Sequence, residues 1–169
     1  IQLHQGRRVT SRSADSIVAE AERMTHEPDF KGYIHDIGGP TANFRFPSCR
    51  EQMLRGMCNG GKHCLAPQTC SHMIVDHSDY LKILRRVREL PGVKKVFIRS
   101  GIRFDYLMAD PDDTFFKELV EYHVSGQLKV APEHCAPNTL AYMGKPPIET
   151  FNKFKDKFYE LSKKAGKKQ

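Results

Sequence analysis

Apolar residues recur along the chain at two spacings, and these spacings predict an alternation of helices and strands. A helical spacing marks four segments: residues 13–27, 79–90, 112–124 and 148–165. Short apolar runs, typical of buried strands, mark residues 33–37, 96–100 and 128–131. Residues 41–77 show no period and are predicted to form an irregular insert. This alternation indicates an α/β fold with a parallel sheet.

Residues that favour helix ends support these predictions. Ser13 precedes the first helical segment and is a good N-terminal cap, and Pro28 lies just beyond its end. Pro91 and Gly92 are predicted to stop the second helix. Gly166 is expected as the left-handed residue that follows the last helix.

All three predicted strands end in residues with unusual backbone or polar chemistry. The strand ends read IHDIGGP, IRSGIR and KVAPEH. In parallel sheets, ligands bind at the carboxyl ends of the strands. The two glycines of the first stretch also let a ligand approach the bare backbone. The sequence therefore predicts a binding site along this edge, although Gly and Pro are also ordinary turn residues after a strand.

Charge is concentrated near the end of the chain. The 169 residues carry a net charge of +7 with a pI near 9.2, within the size range of one domain. Residues 153–169 contain seven lysines against Asp156 and Glu160, a net charge of +5. One interpretation is a solvated helix face. The other is a contact with the phosphates of RNA or of a nucleotide.

The cysteines point to the cell compartment and to a second kind of site. Five cysteines without an export signal predict a reducing, cytoplasmic setting, and no apolar run is long enough for a membrane span. Four of them lie in the insert: Cys49, Cys58, Cys64 and Cys70. Four thiols within 22 residues, with histidines among them, are candidates to bind Zn²⁺ or a second iron–sulfur cluster. The alternative is a set of free, partly buried thiols.

Taken together, the motifs resemble the radical S-adenosylmethionine (SAM) superfamily, and in particular its YgiQ-like branch. The resemblance spans nearly the whole chain and rests on the order of five motifs: HQGRRVTSRSADSIVAEAE, HDIGGPTANF, LPGVKKVFIRSGIRFD, LKVAPEH and YMGKP. It implies a partial (β/α)6 barrel that binds a [4Fe–4S] cluster and SAM. It also implies that the cluster loop, C-x3-C-x2-C, lies upstream of Ile1. The chain is therefore expected to be the central part of a radical SAM domain, without its first and last strands.

The resemblance also implies roles for individual residues. Gly38, Gly39 and Pro40 look like the stretch that offers backbone groups to the amino group of SAM, although the acidic residue usual before the proline is missing. Two residues after the next strand are candidates for the SAM carboxylate or ribose: Ser100 and Arg103. Two after the third strand are candidates for the ribose or the substrate: Glu133 and His134. Plainer interpretations are a surface ion pair for the arginine and a turn position for the histidine.

Two function hypotheses follow from the sequence. The first is an enzyme of unknown substrate that cleaves SAM reductively to a 5′-deoxyadenosyl radical, a chemistry supplied by the cofactors. Because the cluster ligands are expected outside this chain, the chain alone is predicted to be inactive. The alternative is a module without catalysis that binds RNA or a nucleotide through the basic helix, or zinc through the insert.

Overall fold

The helices of the computed structural model follow the predicted order, with short additions in the loops. The structure describes residues 9–39, 41–56, 58 and 64–169. Within these ranges the α-helices are α1 Ala14–Thr25, α2 Arg50–Arg55, α3 Ser78–Arg88, α4 Phe104–Met108, α5 Thr114–Glu118, α6 Pro137–Tyr142 and α7 Ile148–Lys164. Three of them, α2, α4 and α6, are short helices in segments that were predicted as loops. None of the helices in the described ranges is long and apolar enough to cross a membrane.

Local capping chemistry sets the ends of the long helices. The Ser13 hydroxyl accepts a hydrogen bond from the Ser16 N–H at 3.2 Å, so this residue caps α1 as predicted. After α7, Gly166 takes φ +66°, the left-handed conformation expected of a residue beyond a helix end. Both predictions are confirmed. Each helix end is set by one residue that acts within the adjacent turn, so the local sequence is enough to predict it.

The sheet is smaller than predicted. It has two parallel strands, β1 Tyr33–Ile34 and β2 Lys95–Val96, with Ile34 opposite Val96. The ladder runs from Lys95 N–H to Gly32 O at 3.1 Å and from Phe97 N–H to Ile34 O at 2.8 Å. The predictions of five-residue strands at 33–37 and 96–100 were therefore too long.

The third predicted strand, at residues 128–131, is wrong: this part of the chain forms no strand in the structure. Two separate bonds join the segment after β2 to this region: the Ile98 N–H donates to the carbonyl of His123, which precedes the predicted strand, at 2.9 Å, and the Ile102 N–H donates to the carbonyl of Lys129, which lies within it, at 3.0 Å. The donors are four residues apart and the acceptors six, because the chain turns between them. A ladder needs one register, so these bonds do not extend the sheet. The result is a mixed α/β fold, and the partial barrel stays a prediction.

One apolar core joins the long helices to the sheet. Ile34 and Val96 are buried on the sheet, Leu84 lies against them from α3, and Phe116 and Phe154 stack with ring centroids 5.4 Å apart. The predicted inward faces of the second, third and fourth helical segments all contribute to this core. It holds the carboxyl ends of β1 and β2 in place, and the candidate site lies there.

The predicted third helix, at residues 112–124, ends differently from a simple α-helix. After α5 the chain continues as a π-helical turn, Leu119–His123, which brings the His123 ring into the core. The His123 Nδ1 lies 2.8 Å from the Val96 carbonyl oxygen, and among the described residues its Nε2 has no hydrogen-bond partner. Burial lowers the pKa of His123 to about 4, because the charged imidazolium is poorly solvated there.

We expect the stability of the protein to fall as the pH drops from 6.5 toward 4. The unfolded chain takes up a proton at His123 near pH 6.5, whereas the folded chain resists it down to about pH 4. Stability therefore rises with pH across this window, by up to about 1.4 kcal/mol per pH unit for one group. Urea unfolding at several pH values measures the slope. His123→Gln should reduce it, and an unchanged slope would contradict the assignment.

Candidate functional site

The carboxyl ends of β1 and β2 meet at the side chain of Asp36. Its Oδ1 accepts hydrogen bonds from the Arg99 N–H at 2.9 Å and from the Ser100 hydroxyl at 3.1 Å. The Arg99 N–H is the next donor of the β1–β2 ladder after Lys95 and Phe97. It bonds to the side-chain oxygen of Asp36, where a continuing strand would use the Asp36 backbone carbonyl. The sheet therefore ends here, and an exposed carboxylate marks its edge. The pattern of the sequence does not mark this aspartate as a site residue, although it lies in the IHDIGGP stretch.

The two glycines after β1 differ in their surroundings. A Cβ on Gly38 would lie 2.6 Å from the Ser100 Oγ and 2.7 Å from the Ala42 Cβ, so a side chain does not fit there. A Cβ on Gly39 would meet no described atom within 4 Å, apart from its chain neighbours. Gly38 is thus a packing requirement of the fold, whereas Gly39 leaves open space. Pro40 lies outside the described residues.

The segment after the glycines is tied to the loop after β2. The Ala42 N–H donates to the Gly101 carbonyl at 3.0 Å. The Asn43 amide then pairs with the backbone of Arg103 in both directions: its Oδ1 accepts from the N–H at 2.9 Å, and its Nδ2 donates to the carbonyl at 3.2 Å. The predicted convergence of the first two strand ends is therefore found in the structure.

A buried polar chain lies behind this junction. His77 is fully buried between Asp110 and Asn43: its Nδ1 is 2.5 Å from the Asp110 Oδ2, and its Nε2 is 3.1 Å from the Asn43 Nδ2. Its ring stacks on Phe115, with centroids 4.7 Å apart. Burial lowers the pKa of His77, and Asp110 opposes this effect. The neutral ring fits both contacts, because Nδ1–H donates to the carboxylate and Nε2 accepts from the amide.

These hydrogen bonds could not have been predicted from the sequence, because Asn43, His77 and Asp110 are each more than thirty residues apart. In the sequence, His77 is one of several histidines near the insert cysteines. Its two hydrogen bonds occupy both ring nitrogens, so it holds the fold together. Through Asn43, this buried chain fixes the backbone of Arg103 at the candidate site.

The guanidinium of Arg103 faces Asp105. Its Nε donates to Asp105 Oδ1 at 2.6 Å, and its Nη2 donates to Oδ2 at 2.8 Å, a bidentate ion pair with a buried carboxylate. This is the ion pair of the plainer sequence interpretation, although it leaves further N–H groups on the guanidinium. Ser100 instead lies directly at the strand edge, bound to Asp36.

Glu133 and His134 lie in an exposed turn that is held by local contacts. Glu133 takes φ +70° and pairs with the Lys145 ammonium at 3.2 Å; that ammonium also donates to the Ala131 carbonyl at 3.1 Å. The His134 Nδ1 accepts from the Ala136 N–H at 2.9 Å, a turn contact. A positive φ is strained for a glutamate, and such strain is concentrated at functional sites.

The insert brings its cysteines into one neighbourhood without forming a finished metal site. Cys49 is buried, and Cys58, Cys64 and Cys70 are half-buried. Burial raises the pKa of the Cys64 thiol, and the other three thiols lie near enough to raise it further. In the part of the chain that the structure describes, no three Cys, His, Asp or Glu side chains are arranged to hold a metal ion.

Several lysines of the basic terminal segment are already paired. Lys164 contacts Glu160 at 2.6 Å, and Lys157 contacts Asp113 and lies 5.5 Å from the Phe116 ring centroid. The remaining charge of α7 faces solvent through residues such as Lys153 and Lys163. The contact with RNA or a nucleotide stays a prediction.

Comparisons with known proteins give relatives that match the whole chain. The chain is 65% identical over all 169 residues to a protein named "UPF0313 protein" from Clostridium perfringens (strain SM101 / Type A). It is 56% identical, again over its full length, to a protein of that name from Clostridium botulinum (strain Okra / Type B1). The chain covers 25% and 26% of these two relatives. No protein-family model and no solved structure matches it. The chain is thus similar, along its whole length, to about a quarter of each of these UPF0313 proteins.

Proposed function

We propose that the full-length protein containing this chain is a radical SAM enzyme, and that this chain provides the part of the SAM site at the carboxyl ends of β1 and β2. One observation carries the proposal. An exposed carboxylate, Asp36, and an open stretch of backbone at Gly39 lie together at that edge. The order of the sequence motifs supports it independently.

Asp36 supplies the charge that the glycine stretch lacks. The related motif has an acidic residue before its proline, and this chain has none there. Asp36 lies two positions before Gly38, and one of its oxygens is held by the Arg99 N–H and the Ser100 hydroxyl. A carboxylate fixed in this way is a suitable acceptor for an ammonium group. We assign the SAM amino group to Asp36 together with the backbone at Gly39.

The other candidate residues take supporting roles. Ser100 holds Asp36 in place, and Arg103 offers its remaining N–H groups to the carboxylate of SAM. Glu133 and His134 are assigned to the ribose or the substrate, and the strained backbone at Glu133 supports a functional role there. Pro40 would fix the direction of the chain after Gly39.

The residues of this chain bind and orient the cofactor. When bound, SAM and the reduced [4Fe–4S] cluster supply the chemistry, a one-electron cleavage that leaves a 5′-deoxyadenosyl radical for the substrate. The cluster ligands belong to a part of the protein outside this chain. The side chains here position SAM, and the buried chain of His77, Asp110 and Asn43 keeps the strand-end loops rigid.

We expect Asp36→Asn to weaken SAM binding by about tenfold to a hundredfold, because the ammonium loses a charged partner. Asparagine keeps an oxygen for Arg99 and Ser100, so the edge itself should persist. The matched control is Asp29→Asn, an exposed aspartate before the other end of β1, which should change nothing. The measurement uses the full-length protein with its cluster rebuilt without oxygen, by equilibrium SAM binding and by 5′-deoxyadenosine formation with a strong reductant.

Two results would count against this proposal in different ways. A protein with an intact cluster that forms no 5′-deoxyadenosine would remove the enzyme function. SAM binding equal to that of the wild type in Asp36→Asn would leave the enzyme function standing and remove the role of Asp36.

A further inference from the structure

We propose that Cys49, Cys58, Cys64 and Cys70 bind a Zn²⁺ ion that orders the insert, at a site distinct from the strand edge. This inference does not depend on the SAM site. Four thiolates would fill all four positions of a tetrahedral zinc ion, the set typical of structural zinc, although the side chains of the described residues are not arranged around a common point. Such a site stabilises a fold and takes no part in chemistry.

Backbone hydrogen bonds bring together the segments that carry the cysteines. The Ile74 N–H donates to the Ser48 carbonyl at 2.7 Å, which joins the end of the insert to the residue before Cys49. The Cys70 N–H donates to the Cys64 carbonyl at 2.8 Å, which closes a loop between these two residues. These two bonds join the segments that carry Cys49, Cys64 and Cys70 into one small framework.

The side chain of Gln52 adds a contact that suits a metal-bound thiolate. Its Oε1 accepts from the Ser48 N–H at 2.8 Å, and its Nε2 donates to the Cys64 sulfur at 3.4 Å. The amide is therefore fixed at one end and directed at the sulfur at the other. Hydrogen bonds of this kind orient ligands in metal sites. Gln52 also lies on α2, the helix that begins directly after Cys49.

A left-handed glycine ends α2 shortly before Cys58. Gly56 takes φ +77° and its N–H bonds to the Gln52 carbonyl, ending α2 after six residues. Cys58 follows two positions later and is half-buried. The first two cysteines therefore flank α2, and the last two lie on the loop that Gln52 contacts.

The insert buries too little apolar surface to order itself. Its residues Leu65 and Val75 form a small buried cluster together with Tyr106 of α4, with a few partly buried neighbours. Among the insert residues that the structure describes, four large apolar side chains are exposed: Phe46, Met53, Leu54 and Ile74. Small folds with so little core rely on metal ions or disulfides, and the cysteines of the described residues form no disulfide. Zinc binding would supply the missing stabilisation, because metal affinity becomes folding free energy.

The test measures zinc and iron separately in the full-length protein. We expect about one zinc ion per chain, a content that is lost in Cys64→Ser and Cys70→Ser. The matched control is Cys135→Ser, an exposed thiol outside the insert, which should keep the zinc. Iron content should be the same in all of these variants. Zinc content therefore tests the insert site, and iron content tests the [4Fe–4S] cluster of the proposed function.

A second measurement needs no variant and therefore covers the case of misfolding. In the full-length wild-type protein, alkylation followed by mass spectrometry should modify only Cys135 among the five cysteines of this chain, and a zinc chelator should expose the four insert thiols. A folded protein without zinc, or equal alkylation of all five cysteines before and after chelation, would overturn the proposal. So would iron and sulfide, in place of zinc, at the insert cysteines.

Discussion

Replacing His77 by alanine is expected to lower the free energy of unfolding by about 3–5 kcal/mol. The ring is fully buried, and its removal leaves a cavity against Phe115. It also leaves the buried Asp110 carboxylate without the imidazole N–H, and the buried Asn43 amide without one of its two acceptors. Each of these buried groups loses a partner that water cannot easily replace.

Two further variants separate the causes. His72→Ala removes an exposed imidazole from the same insert and should change stability by no more than about 0.5 kcal/mol. Asp110→Asn keeps the shape and an oxygen that can accept from Nδ1–H, so its loss should be smaller than that of His77→Ala. Urea unfolding gives these values. The interpretation fails if His77→Ala and His72→Ala unfold at the same urea concentration.

The loss should also reach the candidate SAM site. Asn43 links the His77 ring to both backbone groups of Arg103, so a loosened ring frees the loop after β2. Amide hydrogen exchange at Arg103 should become faster in His77→Ala and stay unchanged in His72→Ala. Protection that persists in His77→Ala would show that Asn43 holds the loop without the imidazole.

The ends of the helices could be predicted from the capping residues next to them. The lengths of the strands could not, because they depend on a hydrogen bond that the spacing of apolar residues does not reveal. Ser13 and Gly166 act within one turn, so their effects can be read from the sequence. At the end of β1, a side-chain oxygen of Asp36 takes the place of a backbone carbonyl. Apolar periodicity does not distinguish this from a continuing strand, so the strands were predicted too long. The prediction of the third strand was wrong because a turn between His123 and Lys129 shifts the register of the two hydrogen bonds there, which apolar spacing does not reveal either.

The location of the candidate site could be predicted from the sequence, whereas the hydrogen-bond partners of its side chains could not. The strand ends meet where parallel strands require, and Ser100 is found there. Arg103 was selected as a ligand, yet its guanidinium is paired with Asp105, a partner only two positions away. The buried chain through His77 joins residues that are distant in sequence, and its geometry exists only after folding.

We expect Gly38 and Gly39, the two glycines after β1, to respond in opposite ways to added side chains. Gly38→Ala should destabilise the protein by about 1–3 kcal/mol, because its Cβ would overlap the Ser100 hydroxyl and the Ala42 side chain. Gly39→Ala should be neutral or slightly stabilising. No described atom occupies that space and its φ is not positive, so alanine mainly restricts the unfolded chain.

The same pair of positions separates folding from cofactor binding. Gly39→Val should keep the stability of the wild-type protein while lowering SAM affinity at least about tenfold, since a branched side chain would fill the space assigned to SAM. Urea unfolding and equilibrium SAM binding, both on the full-length protein, measure the two effects. If Gly39→Val bound SAM normally, the open backbone would not be a SAM contact. If it unfolded as easily as Gly38→Ala, the space at Gly39 would be filled by the fold itself.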